Sequence, residues 1–547
     1  ASSARPGCER ERANPLTSLV KSVGTSGALT LGSRVLGLVR DNLFARYMGA
    51  SFASDAFLIA FKLPNMFRAL FAEGAFASAF IPMFNQKVAD KDGPGLPAGI
   101  AFAERALAVL LPVLLAMTVA LELLAWPVTF ALSGGFNGVS DELFAYAVML
   151  SRLTIPYLML ISLVSLFGGI LNSLGRFWVN AAAPMLLNLT LIATLLLFDT
   201  SDPMATARNQ AIAVSVAGLL QLIWLAWAAR ANGVSLKIRR PRLSPDVKRL
   251  LKLTLPAAVG AGAVQVNLVI STALAAALLQ AGSVTYIYMA DRLNQLPLGL
   301  IGIALGTVLL PTISRQLGSG DEAAAMQTQN RGLELALLLT LPAAVALVVC
   351  GEPIANGLFG YGRFDAADVR ATAQALAAFS LGLPAYILVK VLTPAFYARQ
   401  DTRTPVRYGL VAVAVNLALN LALIVPLEHM GPPLATAIAS TVNVALLYRT
   451  LRKRGDFAPD ARLKRRAWRL LLAALAMGSA LWFTSELVAG YVQGEWHQRA
   501  LALAALVAAG SLVYGAATIL LGAFSRADIA TFFRRGRPGP SIEPAQE

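Results

Sequence analysis

The chain has 547 residues, 57% of them hydrophobic and only 14% charged, with a formal net charge of +16. A soluble chain of this length would divide into domains of amphipathic helices and polar connections, whereas here stretches of about 20 residues are apolar on every face. That balance excludes an ordinary soluble protein and describes an all-α polytopic membrane protein.

The first twenty residues, ASSARPGCERERANPLTSLV, are polar and lack an apolar core ahead of a small-residue cleavage site. They read as a cytoplasmic tail (1–21) and not as a signal peptide. Fourteen apolar spans follow, near 22–48, 52–88, 102–132, 143–172, 178–198, 208–232, 248–280, 284–317, 329–351, 366–397, 404–426, 432–454, 466–490 and 498–523. Several exceed the roughly 20 residues that a 30 Å hydrocarbon core requires, so they tilt, kink or project from it. In the second span Pro64 is the expected kink.

The connections alternate in charge. One side receives Lys87 and Lys91, Arg176, the run Lys237 to Arg249, then Arg399, Arg403 and Arg407, the run Arg452 to Arg466, and Arg534 to Arg537. The other side receives Asp141 with Glu142, Asp199 with Asp202, the turn at Gly282, and Glu428. Under the positive-inside rule both termini are cytoplasmic and the number of spans is even. The net charge is therefore explained by topology, and nucleic acid is not a partner. Cys8 and Cys350 are too few and too far apart for a disulfide framework or a zinc site, and His429 and His497 sit near span ends.

An internal repeat is visible. Pro156 and Asn188 in the first half have the same spacing as Pro384 and Asn416 in the second, with IPYLMLISL matching LPAYILVKV and LLNLTL matching AVNLAL. Near the start of each half KLPNMF matches QLPLGL. The chain then reads as two six-helix lobes (22–235 and 236–455), two further helices (456–525) and a cytoplasmic tail (526–547). Six spans per half give both halves the same orientation, a parallel repeat about the membrane normal.

Charged residues inside these spans are the candidates for function. An arginine at the centre of a spanning helix costs about 2.5 to 3.5 kcal/mol, so Arg34, Arg40 and Arg68 of the first two spans, and Arg292 of the eighth, must face something other than lipid. Arg34 and Asp41 lie within about 20° on a helical wheel and Arg40 about 120° away. Asp55, Lys62 and Glu73 would share a face on a straight helix. YIYMADRLNQLP places Asp291 and Arg292 at the comparable position of the second half, and arginines from both halves make a site for phosphate or pyrophosphate. Asp41, Asp55, Glu73 and Asp291 read equally as counter-ions or as gates, and Lys390 is a weaker candidate. The sequence contains no HExxH, Walker A or GxSxG motif, so no enzyme constellation emerges.

The segments SRVLGLVRD (33–41), ASDAFLIAFKLPNMFRALFAEGAF (53–76), YMADRLNQLP (288–297) and FYARQDTRTP (396–405) resemble the MurJ (MviN) lipid II flippase family of the multidrug/oligosaccharidyl-lipid/polysaccharide exporter superfamily. The resemblance runs from about Leu19 to Ala523. It implies two six-helix lobes in a V shape around a cavity, and an apolar groove for the lipid tail between the last two helices. The implied activity is flipping of the undecaprenyl-pyrophosphate-linked disaccharide-pentapeptide to the periplasmic leaflet of the bacterial inner membrane. The substrate-binding set is then Arg34, Arg40, Arg68, Arg292 and Lys62, with Ser33, Asp41, Asp55, Glu73 and Asp291 as gate or counter-ion residues. Gln295 departs from the family, which often has an acid there, and this puts a gating ion pair at that position in doubt. Sodium sites of some relatives need carboxylates on helices 7 and 11. The corresponding spans here offer Asn267, Asn416 and Asn420 without Asp or Glu, so no metal or cofactor is assigned, and coupling to an ion gradient or to the membrane potential stays open. The partners are lipid II, membrane lipids and the cell-wall synthesis machinery. A cationic cavity disfavours a drug antiporter, and short basic loops disfavour a membrane enzyme acting on polyprenyl-phosphate sugars.

Overall fold

The computed structural model describes residues 15–71, 75–90, 95–198 and 200–523. Among these residues there are nineteen α-helices, one short 3-10 turn (Glu428–Met430) and no strand. Each of the expected spans falls on helix. The first is α1 (Pro15–Met48), the second α2 (Phe52–Phe71) with α3 (Ala75–Ala89), and the third α4 (Leu96–Leu123) with the short α5 (Ala125–Ser133). The fourth is split into α6 (Asp141–Thr154) and α7 (Pro156–Ser173), and α8 (Phe177–Leu197) and α9 (Pro203–Ala231) complete the first half.

The second half repeats this order with α10 (Pro245–Leu278), α11 (Ser283–Gly318), α12 (Glu322–Val349) and the short α13 (Gly351–Phe359). It continues with the split pair α14 (Ala366–Leu381) and α15 (Leu383–Tyr397), then α16 (Arg403–Leu427) and α17 (Gly431–Arg454). The helices α18 (Ala461–Val492) and α19 (Trp496–Leu520) have no counterpart in the first half. Among the described residues nine helical segments are long and apolar enough by themselves to cross a membrane. The protein is therefore a multi-pass membrane protein.

Proline explains the breaks and two of the contacts. Pro156 and Pro384 each stand in the first turn of the second piece of a split span, where a missing N–H costs nothing. Pro64 instead lies inside α2, which continues through it to Phe71. A proline inside a helix leaves the carbonyl four residues earlier without its donor; here that carbonyl, of Ala60, receives the Thr154 hydroxyl at 2.8 Å. Pro342 in α12 likewise exposes the Leu338 carbonyl, which takes the Tyr514 hydroxyl of α19 at 2.8 Å.

Contacts divide the chain into two units, one running through Met48 and from Ala56 to Val269, the other comprising Gly49–Asp55 and Ile270 onward. The boundary falls inside α10. The first unit is centred on aromatic packing, with Phe80 5.3 Å from Phe76, 5.7 Å from Phe84 and 5.5 Å from Phe102 between ring centroids. Within lipid, helices associate through close packing and interhelical hydrogen bonds. Gly218 shows the first, because a Cβ there would lie 2.7 Å from the Tyr157 ring. Gln210 and Gln221 show the second, donating from α9 to the Leu191 and Ala183 carbonyls of α8 at 3.1 and 2.8 Å. The second unit packs α11, α12, α15 and α17 around Leu305, Ile387, Val391 and Phe396.

Candidate functional site

In the first unit the charged residues of α1 separate by environment. Arg34 is exposed, and among the described residues no hydrogen bond or ion pair engages it. Arg40 and Asp41 are 8% and 4% exposed and form an ion pair, Asp41 Oδ1 accepting from Arg40 Nη2 at 2.6 Å and from Nε at 3.0 Å. The helical wheel places Asp41 beside Arg34; the observed partner is the adjacent residue, because arginine's long stem lets its guanidinium fold back around the helix. The third nitrogen, Nη1, donates to Oδ1 of Asn188 on α8 at 3.1 Å, and Asn188 Nδ2 donates to the Ser33 carbonyl at 3.0 Å. A buried cation with a carboxylate and an amide around it is largely compensated for its desolvation. On α2, Lys62 and Arg68 are half-buried, and Arg68 Nε donates to Asn65 at 3.1 Å. Glu73 lies outside the described residues.

In the second unit Arg292 on α11 is half-buried and donates from Nε and Nη2 to the Tyr288 hydroxyl at 3.0 and 2.8 Å. Its guanidinium carbon lies 4.9 Å from the centre of the same ring. Asp291 accepts a hydrogen bond from Gln295 one turn on. The Gln295 amide thus holds Asp291. Lys390 is exposed on α15 against Gly302, where a Cβ would lie 2.8 Å from its ammonium.

Asp55 is 2% exposed and caps a helix that is not its own. The N-cap of α11 is Gly282, with φ of 95° and no side chain to offer. Its N–H donates to Asp55 Oδ2 at 2.7 Å, while the Thr285 N–H and hydroxyl donate to Oδ1 at 2.8 and 2.6 Å. A carboxylate at a helix N-terminus meets both the unsatisfied N–H groups and the positive end of the helix dipole. Beside it, Asp368 of α14 accepts from the Ala50 N–H at 3.3 Å and from the Tyr286 hydroxyl at 2.9 Å.

Three features take on their roles only in the structure. Asn188 is visible in the sequence only as a repeat anchor. Glu104 on α4 and Glu334 on α12 are 4% and 3% exposed. Glu104 accepts from the Lys237 N–H at 3.0 Å and from Arg239 at 2.6 Å; Glu334 pairs with Arg331 at 2.5 Å, Arg466 at 3.0 Å and Arg462 at 3.4 Å. The signal that finds them is a carboxylate near the start of the third span in each half. The amides Asn416 and Asn420 on α16 form a neutral cluster: Asn420 Nδ2 donates to Asn416 Oδ1 at 2.9 Å and to Ser271 at 3.0 Å, and Asn416 donates to Thr436 at 3.1 Å.

The family model for "Lipid II flippase MurJ" matches residues 44–502. This chain belongs to the MurJ family. It is 41% identical to the "Probable lipid II flippase MurJ" of Rhizobium meliloti (strain 1021), over 97% of this chain and 99% of that protein. The "Lipid II flippase MurJ" of Burkholderia cenocepacia is 36% identical over 85% of this chain and 89% of its own length. A solved structure, "Lipid II flippase MurJ, inward closed conformation", superposes with a TM-score of 0.74 at 23% identity, covering 93% of this chain and 99% of that one. An inward-facing MATE transporter of the MOP superfamily follows at 0.64 and 15% identity, over 77% of this chain and 94% of its own. Both structural matches speak for the fold, and the family itself is one of transporters and not of enzymes.

Proposed function

We infer that this protein carries lipid II from the cytoplasmic to the periplasmic leaflet of the bacterial inner membrane by alternating access, with both of its termini in the cytoplasm. The observation that carries this reading is the 41% identity, over nearly the whole of both chains, to a relative named a lipid II flippase. The chemistry agrees. Arg34, Arg40, Arg68, Arg292 and Lys62 are cations within an apolar chain, and guanidinium forks suit a pyrophosphate. A pyrophosphate that enters lowers their electrostatic cost, so loaded and empty states favour different arrangements.

Asp55 takes the gate role together with Ser33 and Asp291, because its bonds to the start of α11 can be made and broken without rebuilding either helix. Asp41 takes the counter-ion role for Arg40. The polyprenyl tail is assigned to the space between α18, α19 and α12, where a cavity of about 770 Å³ is lined by Leu338, Pro342, Met477, Leu506 and Val507. The basic connections face the cytoplasm and offer contacts to anionic lipid and to cell-wall synthesis enzymes. The driving force is the membrane potential, a cation gradient or lipid turnover.

The test is a leaflet-accessibility assay for lipid II in cells depleted of the endogenous flippase and complemented with this chain. Arg34→Ala and Arg292→Ala are expected to insert normally and to abolish complementation. Full complementation by both variants would overturn the headgroup role of these arginines. Collapsing the potential and the sodium gradient separately identifies the coupling.

A further inference from the structure

The Arg40–Asp41 pair is held by a residue that carries no charge of its own. Asn188 is 7% exposed and uses both ends of its amide, accepting from Arg40 at 3.1 Å and donating to the Ser33 carbonyl at 3.0 Å. In a helix the Ser33 carbonyl already takes the N–H of residue 37, so the amide occupies its second lone pair. The side chain therefore straps two turns of α1 to α8 while fixing the plane of the guanidinium. The two helices meet here at van der Waals distance: a Cβ on Gly37 would sit 3.7 Å from the Asn188 nitrogen, and one on Gly32 3.7 Å from Met185 of the same helix.

The choice of an amide has an electrostatic consequence. Within the triad of Arg40, Asp41 and Asn188 the first two charges cancel, so the group at 188 sets the sign of this triad. A carboxylate there would bind the guanidinium more strongly, but it would lose the donor to Ser33 and add a buried negative charge beside the place an anionic headgroup must occupy.

The geometry points to Asn188 as the positioning residue of Arg40, holding the guanidinium in register on α1 without adding a negative charge that would repel a phosphate-bearing headgroup. This rests on the lipid II reading above and extends it to a residue outside the charged set.

The test uses the full-length protein in detergent, with lipid II and inorganic pyrophosphate as separate probes, titrated across a range of NaCl concentrations. Asn188→Asp, nearly isosteric, is expected to keep its unfolding midpoint within a few degrees of wild type. It should bind both probes at least about tenfold more weakly, with a shallower dependence on salt because the cluster has lost its neutrality. The charge-swapped double variant Asp41→Asn with Asn188→Asp restores neutrality and is expected to recover binding to within about threefold. A purely structural strap would give no such rescue.

Wild-type affinity for both probes from Asn188→Asp would overturn the positioning role, as would a folded charge-swapped variant that binds no better than Asn188→Asp. If Asn188→Asp does not fold, the charge-swapped variant against wild type decides on the same criterion of threefold recovery. Wild-type protein that binds pyrophosphate but not lipid II would instead defeat the functional reading, leaving the role of Asn188 to be read from the pyrophosphate arm.

Discussion

The two halves place their charge differently. At the fifth-helix position of the repeat, Asn188 holds an ion pair, Arg40 with Asp41, whereas Asn416 is bonded within a set of neutral side chains, Asn420, Ser271 and Thr436. At the loop ends the pattern reverses. Arg176, ahead of α8, donates to the amide of Asn232 at 2.8 Å; Arg399, ahead of α16, forms an ion pair with Asp456 at 3.0 Å. A duplicated scaffold thus supplies the same crossing points twice, and side-chain substitution decides which crossing carries charge. A buried ion pair is costly and weak evidence for stability, so the Arg40–Asp41 pair at this crossing of the first half fits a task that stability does not explain.

The third-helix glutamates extend the contrast, and replacing them gives the largest expected effect. Glu334 pairs with three arginines and anchors the start of α18, so Glu334→Gln should lower stability by about 3 kcal/mol. Glu104 faces an Arg239 side chain that is 56% exposed, and Glu104→Gln should cost only about 1 kcal/mol. Thermal unfolding of the two variants in one detergent checks this; equal losses would mean that the two sites are energetically alike.

Asn416→Ala comes next. It removes hydrogen bonds from a neutral cluster and should cost about 1 kcal/mol of stability while leaving lipid II affinity unchanged. A loss of affinity comparable to that of Asn188→Asp would erase the distinction between the halves.

The smallest effect is a pH dependence at the start of α16. There Asp401 accepts from the Thr404 N–H at 2.9 Å, the Thr404 hydroxyl at 2.7 Å and Arg454 at 2.8 Å. The Thr404 hydroxyl and N–H, with Arg454, hold its carboxyl down at about 2, against an ordinary value of 3.8. A depressed carboxyl contributes stability that is present in full above its unfolded value and is lost as pH falls through about 2. Wild type and Asp401→Asn should therefore differ in unfolding midpoint at pH 6 and converge toward pH 2. The residues at the matching position ahead of α8, Leu174, Gly175 and Arg176, include no carboxylate, so no such dependence is expected there.

Much of this organisation can be read from the chain. Apolar runs long enough to cross a bilayer mark the spans, Pro156 and Pro384 mark the split ones, and the loop arginines give the alternation, because these signals are local. Pro64 marks the expected kink by its residue type alone, but that the Thr154 hydroxyl of another helix serves the carbonyl it deprives is not legible in the sequence. The pairing of Asp41 with Arg40 and not with Arg34 depends on side-chain reach, which a helical wheel omits. Asp55 is legible as a costly charge, but not as the cap of α11, a helix that starts in the other half of the chain.

The sequence alone determined the class of the protein, its helices, its two-fold repetition and the family to which it belongs, because periodicity and the cost of burying charge are properties of short segments in lipid. Only the tertiary structure decided which charges are committed. Whether a buried arginine is bound by a neighbour, by an amide on a helix distant in sequence, or left exposed like Arg34 depends on which helix packs against it, and long-range packing is set by the whole fold.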